Sequence, residues 1–372
     1  MTALSRASAD IRVGIVGCGR AAATLHLPVL RRRPGVSIVA LSDCDEERLR
    51  GAVSMCPGAT GYLDYRLLLL DERVDLVAVC VPAMLHEVVA SAALQARKHV
   101  FIEKPLALTL KDCDRLVEQA RQGESVGVRS VVGFNLRCHR LVRQARQIMR
   151  SGRLGEIELL RTLWTANWTG AKRPPWHELR EQGGGALLEI GVHHADLWRW
   201  LLESEVESVH ALSRSGTFDD QTAVFEGRMT SGVLVSASVS QRSVPRNTIE
   251  VFGQRGALRL SCYHTDSLEL SALGAPARGA WRRIRPMIDK ALRLPAAANA
   301  ARKGGDFAMS YGYEWEQIIG SLRNGAPMPC SVYDGRQAVR IVLAALRSSQ
   351  EGTVVSLAVP PAGSGRTVEV AG

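Results

Sequence analysis

Apolar and polar positions alternate in blocks along the first third of the chain. Ile11 to Val16, Val36 to Leu41, Leu76 to Val81, Val100 to Ile102 and Val126 to Val132 are short apolar runs rich in β-formers. Amphipathic stretches separate them, among them Glu46 to Val53, Leu85 to Ala96 and Lys111 to Gln122. Nearly all-apolar strands alternating with helices predict a parallel sheet covered on both faces.

The period changes after Gly133. A basic helical stretch, Leu136 to Arg150, leads to a strand near Gly155 to Leu163, and Ala186 to Leu202 reads as one helix. From Val206 onward the runs have period two, clearest in Val233, Val235, Ala237 and Val239, as an antiparallel sheet with one polar face requires. Helices near Tyr313 to Arg323 and Asp334 to Ser348 close the pattern. The predicted fold class is α/β: a doubly wound Rossmann domain over residues 1–133, then an α+β domain over 134–372 with a largely antiparallel open sheet.

Composition narrows the function classes. With 46% hydrophobic residues spread over 372 positions, the chain can bury two cores and is not a disordered tether. The longest apolar stretch, Leu76 to Leu85, is half a membrane span and contains Pro82. Met1 to Asp10 lacks the apolar core of a secretory signal, so no integral membrane segment and a cytoplasmic location are expected. The eight cysteines form no CxxC pair or Cys/His cluster, which points to reduced structural thiols and to no metal site. The net charge of +10 is local: between Pro276 and Lys303 eight Lys or Arg face one acid, Asp289. That patch reads as a solvated loop or oligomer contact, as a clamp for a phosphate-bearing substrate or as a weak attachment to anionic membrane. No nucleic-acid module accompanies it.

Three motifs carry chemistry. The first apolar run leads into Gly17-Cys18-Gly19-Arg20-Ala21-Ala22, a GxGxxA loop at a strand-to-helix turn. Its glycines allow a tight turn and close approach of a pyrophosphate, and the helix start supplies N–H donors at Arg20 and Ala21. Asp43, at the end of the second strand, is placed to accept from the adenosine ribose and to oppose the extra phosphate of NADP. NAD is therefore the expected cofactor and NADP the less favoured one. The fifth strand ends in Glu103-Lys104-Pro105, at the edge of a doubly wound sheet where ligands bind. Gly183-Gly184-Gly185 precedes the helix on which Glu189 and His193 are four apart, with Asp196 and Trp200 continuing that face. His194 falls on the apolar stripe with Ile190, Leu197 and Leu201 and is expected to be packed in the core.

Together the GxGxxA loop, "HVFIEKPLALT", "GFNLR" and "GGGALLEIGVHHADLWRWL" resemble the glucose–fructose oxidoreductase, inositol dehydrogenase and rhizopine-catabolism (Gfo/Idh/MocA) family over nearly the whole chain. The resemblance implies an NAD-dependent oxidoreductase that moves a hydride between nicotinamide and a carbinol of a sugar, cyclitol or nucleotide-sugar. It carries the catalytic roles to Lys104, His193 and Glu189, the last standing where the family pattern D-x-G-x-H-x-x-D has aspartate. It puts Pro82 and His86 beside the cofactor with Glu103, and Arg137 near the substrate with Glu189 and His193. It further implies a homodimer or homotetramer. Two other readings stay open on the sequence: a redox-assisted glycosidase or eliminase that recycles NAD, and a non-catalytic dinucleotide- and sugar-binding regulator.

Overall fold

The computed structural model describes residues 10–168, 174–264, 267–272, 298, 302 and 304–357. The expectations for the basic segment 276–303 fall almost wholly outside the described residues.

Six parallel strands form the first sheet: β1 (Ile11–Val16), β2 (Val36–Ser42), β3 (Thr60–Tyr62), β4 (Leu76–Val79), β5 (His99–Glu103) and β6 (Ser130–Gly133). Their order, β3-β2-β1-β4-β5-β6, reverses direction between β1 and β4, which opens a crevice at the carboxyl ends of those strands. Helices α1 (Leu27–Leu30), α2 (Glu46–Met55), α3 (Tyr65–Leu70), α4 (His86–Gln95) and α5 (Leu110–Ser125) provide the crossovers. Strand β6 is shorter than its apolar run. Val126 and Val128 both donate to the Gly123 carbonyl and Gly127 has φ +83°, so the first half of the run closes α5 instead of extending. The short β3 and α3 were not among the predicted elements.

The chain then passes through a 3₁₀ turn (Asn135–Cys138) and α6 (Arg140–Arg150), where one continuous helix was predicted. His139 separates the two with ψ 126°. The second sheet contains β7 (Ile157–Asn167), β8 (Val206–Arg214), β9 (Thr222–Met229), β10 (Leu234–Ser240), β11 (Arg242–Gly253), β12 (Gly256–Ser261), β13 (Glu269–Ala272) and β14 (Val355–Ser356). Their order is β13-β12-β11-β7-β10-β9-β8-β14. The pairs are antiparallel except β7 with β10, which run parallel with Leu159 opposite Leu234.

Helix α7 (Val192–Leu202) packs against the last helix, α9 (Val332–Glu351), which with α8 (Gly305–Asn324) returns to the first domain. Trp315 of α8 packs on Phe101 of β5, with ring centroids 4.8 Å apart. Helix α9 lies against both α5 and β8. The carboxyl end of β5 is thereby enclosed from both domains. Among the described residues no helix is long and apolar enough to cross a membrane.

Candidate active site

Strand β1 delivers the chain into the GxGxxA loop. Gly17 has φ +93°, and a Cβ there would sit 2.6 Å from the Cys80 carbonyl, so the turn requires glycine. A Cβ on Gly19 would meet nothing within 4 Å, leaving its outward side open. Asp43 is buried and grips the loop: one carboxylate oxygen accepts from the Cys18 N–H at 2.7 Å and the other from the Asp45 N–H at 2.9 Å. A rigid backbone cradle with an open side, a helix start at Arg20 and Ala21, and a fixed acid at the end of β2 fit a dinucleotide.

Pro82 lies in the loop that follows β4. His86, expected beside the cofactor, is instead buried beneath that loop. Its Nδ1 meets the Pro105 carbonyl at 2.7 Å and its Nε2 the Val81 carbonyl at 2.9 Å. It lies between the loops that follow β4 and β5 and, with its pKa lowered by desolvation, donates to one of the two carbonyls. Glu103 and Lys104 leave β5 at this point. Glu103 accepts the backbone N–H of Lys104 at 3.0 Å and contacts His26 Nε2 at 2.7 Å. Burial disfavours the Glu103 carboxylate, but the hydrogen bond from His26 and the nearby charge of Lys104 bring its pKa below the usual value.

The second domain meets Lys104 with a segment that is not the single predicted helix. Leu187–Gly191 is a π-helical turn and only Val192–Leu202 is α-helical. Its start is capped by Asp220, which accepts from the Leu187 N–H at 2.9 Å and from Arg180 Nε at 3.0 Å. The extra residue of a π-turn breaks the four-residue repeat, so Glu189 does not pair with His193. Its carboxylate instead meets His177 Nδ1, and its backbone carbonyl accepts from Lys104 Nζ at 3.1 Å. His177 is stacked on Trp176, and the glycine run lets it lie close: a Cβ on Gly184 would be 2.3 Å from the His177 carbonyl oxygen. In the sequence His177 follows Trp176 and lies near Trp164, Asn167 and Trp168, a cluster that core packing alone also explains.

His193 is buried against Trp164, at 5.0 Å between ring centroids, and against the edge of Phe134 at 5.7 Å. Its Nδ1 has no hydrogen-bond partner. Desolvation, together with the charges of Lys104 and His194, pushes its pKa well below the usual value. The ring is therefore a neutral imidazole at neutral pH. His194 is fully buried with neither nitrogen bonded, and desolvation lowers it to about 3, as a core histidine requires. An aromatic wall continues from Trp164 through Tyr263 and Phe307 to Tyr311, with successive centroids 5.5–6.4 Å apart.

Arg137 does not join this group. Its Nε and Nη2 form a bidentate pair with Asp196, and its Nη1 reaches the Pro329 carbonyl and Asp334. The guanidinium is nearly fully buried, and its donors hold α7 to the start of α9. Arg137, expected near the substrate, has its guanidinium donors engaged by this network. Lys104, Glu189 and His193 are thus brought together from the two domains. His177 contacts Glu189, and His26 and Trp315 lie behind Lys104 through Glu103; none of the three is among the site residues assigned from the sequence.

Comparison with known proteins gives the family. Residues 11–130 match the oxidoreductase family with an NAD-binding Rossmann fold, and residues 142–259 match the GFO/IDH/MocA C-terminal domain. The chain belongs to the GFO/IDH/MocA oxidoreductase family. Within this family it is 28% identical over 358 residues to a myo-inositol 2-dehydrogenase of Thermotoga maritima, covering 93% of this chain and 98% of that one. It is 30% identical over 253 residues to dTDP-3,4-didehydro-2,6-dideoxy-alpha-D-glucose 3-reductase of Actinomadura kijaniata, covering 67% and 74%. The same fold occurs in the WlbA dehydrogenase of Bordetella pertussis, solved in complex with NADH and UDP-GlcNAcA. The TM-score is 0.77 at 22% identity, over 95% of this chain and 99% of that one. As a GFO/IDH/MocA oxidoreductase, the chain carries its NAD-binding Rossmann domain first and presents the end of β5 to the second domain.

Proposed function

We propose that the chain is an NAD-dependent dehydrogenase acting on a ring carbinol of a cyclitol or sugar, with Lys104, His193 and Glu189 at the reacting carbon. The observation that carries this reading is the convergence of Lys104 Nζ, the Glu189 segment and the neutral imidazole of His193 at the crevice beside the phosphate loop. Bound in that crevice, a nicotinamide would supply the hydride chemistry. The residues of the chain handle the proton and the position of the substrate. A neutral His193 can accept the hydroxyl proton, and Lys104 Nζ is placed to donate to the carbinol oxygen. Glu189, held by His177, fixes the segment that meets Lys104. Gly17, Gly19, Arg20, Ala21, Asp43 and Pro82 would hold the dinucleotide.

Aromatic rings suit the apolar faces of a pyranose or cyclitol, and the wall from Trp164 to Tyr311 supports that substrate class. The buried negative charge of Asp43, followed by Cys44, Asp45 and Glu46, favours NAD over NADP. All eight cysteines are free, which suits a reducing compartment such as the cytoplasm. The division at residue 133 separates the two sheets and is the domain boundary we adopt.

We further assign the outer face of the second sheet to a second copy of the chain. Leu212 is exposed directly opposite Val224, also exposed, and Leu234 and Phe252 continue the uncovered face. Sheets of this breadth bury both faces when a copy of the same surface packs on them.

The test of the dehydrogenase reading is NAD reduction over a panel of cyclitols, sugars and nucleotide-sugars with Lys104→Ala as control. Release of free sugar without net NADH would instead mark a redox-assisted hydrolase.

A further inference from the structure

Trp315 and His26, both buried, and the partly buried Glu103 form a directed chain of hydrogen bonds behind Lys104. Trp315 Nε1 lies 3.0 Å from His26 Nδ1, and His26 Nε2 lies 2.7 Å from Glu103 Oε1. An indole N–H can only donate. Nδ1 of His26 must therefore be the acceptor, and its proton sits on Nε2, directed at Glu103. The other Glu103 oxygen accepts the backbone N–H of Lys104 at 3.0 Å. The chain starts on α8, passes through the last residue of the turn that follows the phosphate loop, and ends at the residue beside Lys104.

A second carboxyl lies next to this chain. Glu314, adjacent to Trp315 on α8, is buried with Oε2 unpartnered, and desolvation together with the nearby Glu103 pushes it well above the usual carboxylate range. Two buried carboxyls close to each other do not both ionise. The groups around Glu103 are His26, Cys80, His86 and Lys104 from the first domain and Tyr311 and Glu314 from α8. Of the two acids, Glu103 alone receives a hydrogen bond from a histidine.

We propose that His26 is a positioning residue for Lys104: by donating from Nε2, with its tautomer fixed by Trp315, it holds the negative charge on Glu103, beside Lys104, and away from Glu314. The inference rests on the dehydrogenase reading for its role in turnover, but the arrangement itself can be tested without substrate. Glutamine can place an amide N–H near the Nε2 position, whereas leucine fills the volume and donates nothing.

The full-length protein and its His26→Leu, His26→Gln and Trp315→Phe variants are treated with trace acetic anhydride. Acylation of Lys104 is read by peptide mass spectrometry against the exposed Lys111 of the same chain. With the negative charge near it weakened, the Lys104 amine is expected to acylate faster. His26→Leu is expected to raise the Lys104 to Lys111 ratio roughly threefold or more. His26→Gln is expected to return it to the wild-type value, and Trp315→Phe to change it in the same direction by less. An unchanged ratio in His26→Leu, or a glutamine variant that behaves like leucine, overturns the proposal. If His26→Leu does not fold, Trp315→Phe decides: a raised ratio supports the chain and an unchanged one overturns it. Failure of the dehydrogenase reading shows separately, as wild-type protein that reduces no NAD while these ratios still move.

Discussion

Lys104 Nζ donates to the backbone carbonyl of Glu189 at 3.1 Å, joining the end of a Rossmann strand to a π-turn 85 residues later. Neither half of the chain builds the site alone. The first domain supplies the loop, the acid and the lysine. The second brings a neutral imidazole and a carboxylate already paired with a histidine. Because the bond is to a main-chain oxygen, replacing the Glu189 side chain leaves its acceptor in place. Glu189→Ala is therefore predicted to disturb the His177 side of the site, and Lys104→Ala to remove the donor itself.

Arg137 is predicted to matter for stability and not for substrate affinity. It is buried with Asp196, and removing one partner of such a pair strands the other charge, at about 3–5 kcal/mol. Urea denaturation of Arg137→Ala is expected to show that loss, with KM for the oxidised carbinol unchanged in whatever fraction folds. A raised KM at unchanged stability would return Arg137 to the substrate site.

Acid sensitivity follows from the buried imidazoles. His194 has an ordinary value of 6.5 and is lowered to about 3 by burial. The unfolded chain therefore binds a proton that the folded one refuses. The stability associated with the neutral ring is complete above pH 6.5 and is lost as pH falls from there toward 3, at up to about 1.4 kcal/mol per unit. His194→Leu is expected to flatten the decline of the urea midpoint below pH 6.5, while His86, His139 and His193, lowered in the same way, preserve part of it.

Asp43→Asn tests cofactor choice. The substitution weakens the grip on the Cys18 and Asp45 N–H groups and removes the charge that opposes a 2′-phosphate. Titration by nicotinamide fluorescence is expected to show NADH binding about tenfold weaker, a loss of ~1.4 kcal/mol, with NADPH affected less. An unchanged NADH to NADPH preference would remove Asp43 from the discrimination.

Leu212→Glu with Val224→Glu places two charges across one rung of the exposed sheet face. Sedimentation at micromolar concentration is expected to show an oligomer for the wild type and a smaller species for the pair. A wild-type monomer would contradict the assignment of this face.

Much of the fold was legible because buried parallel strands read as unbroken apolar runs and half-buried ones as period two. β1 matches its predicted limits, and β2 and β5 run only one or two residues beyond theirs, because their apolar positions pack against the core. β3 and α3 were missed because three half-exposed residues and six leucine-rich ones carry too little periodicity. The site was legible where backbone geometry dictates residue type, as at Gly17, or where a strand end dictates position, as at Lys104. The π-turn was not, since its extra residue leaves no mark in composition and moved Glu189 from His193 to His177. His26 was hidden for a different reason: its partners, Glu103 and Trp315, lie 77 and 289 residues away.

The most direct test of the central claim is the absorbance of reduced nicotinamide when purified protein and NAD meet cyclitols, free sugars and nucleotide-sugars, beside Lys104→Ala. The account predicts reduction by the wild type with at least one polyol, and a loss of about a hundredfold or more in the variant with NAD binding retained. Equal rates in the two proteins, or no reduction across the panel by wild-type protein that binds NAD, would contradict it.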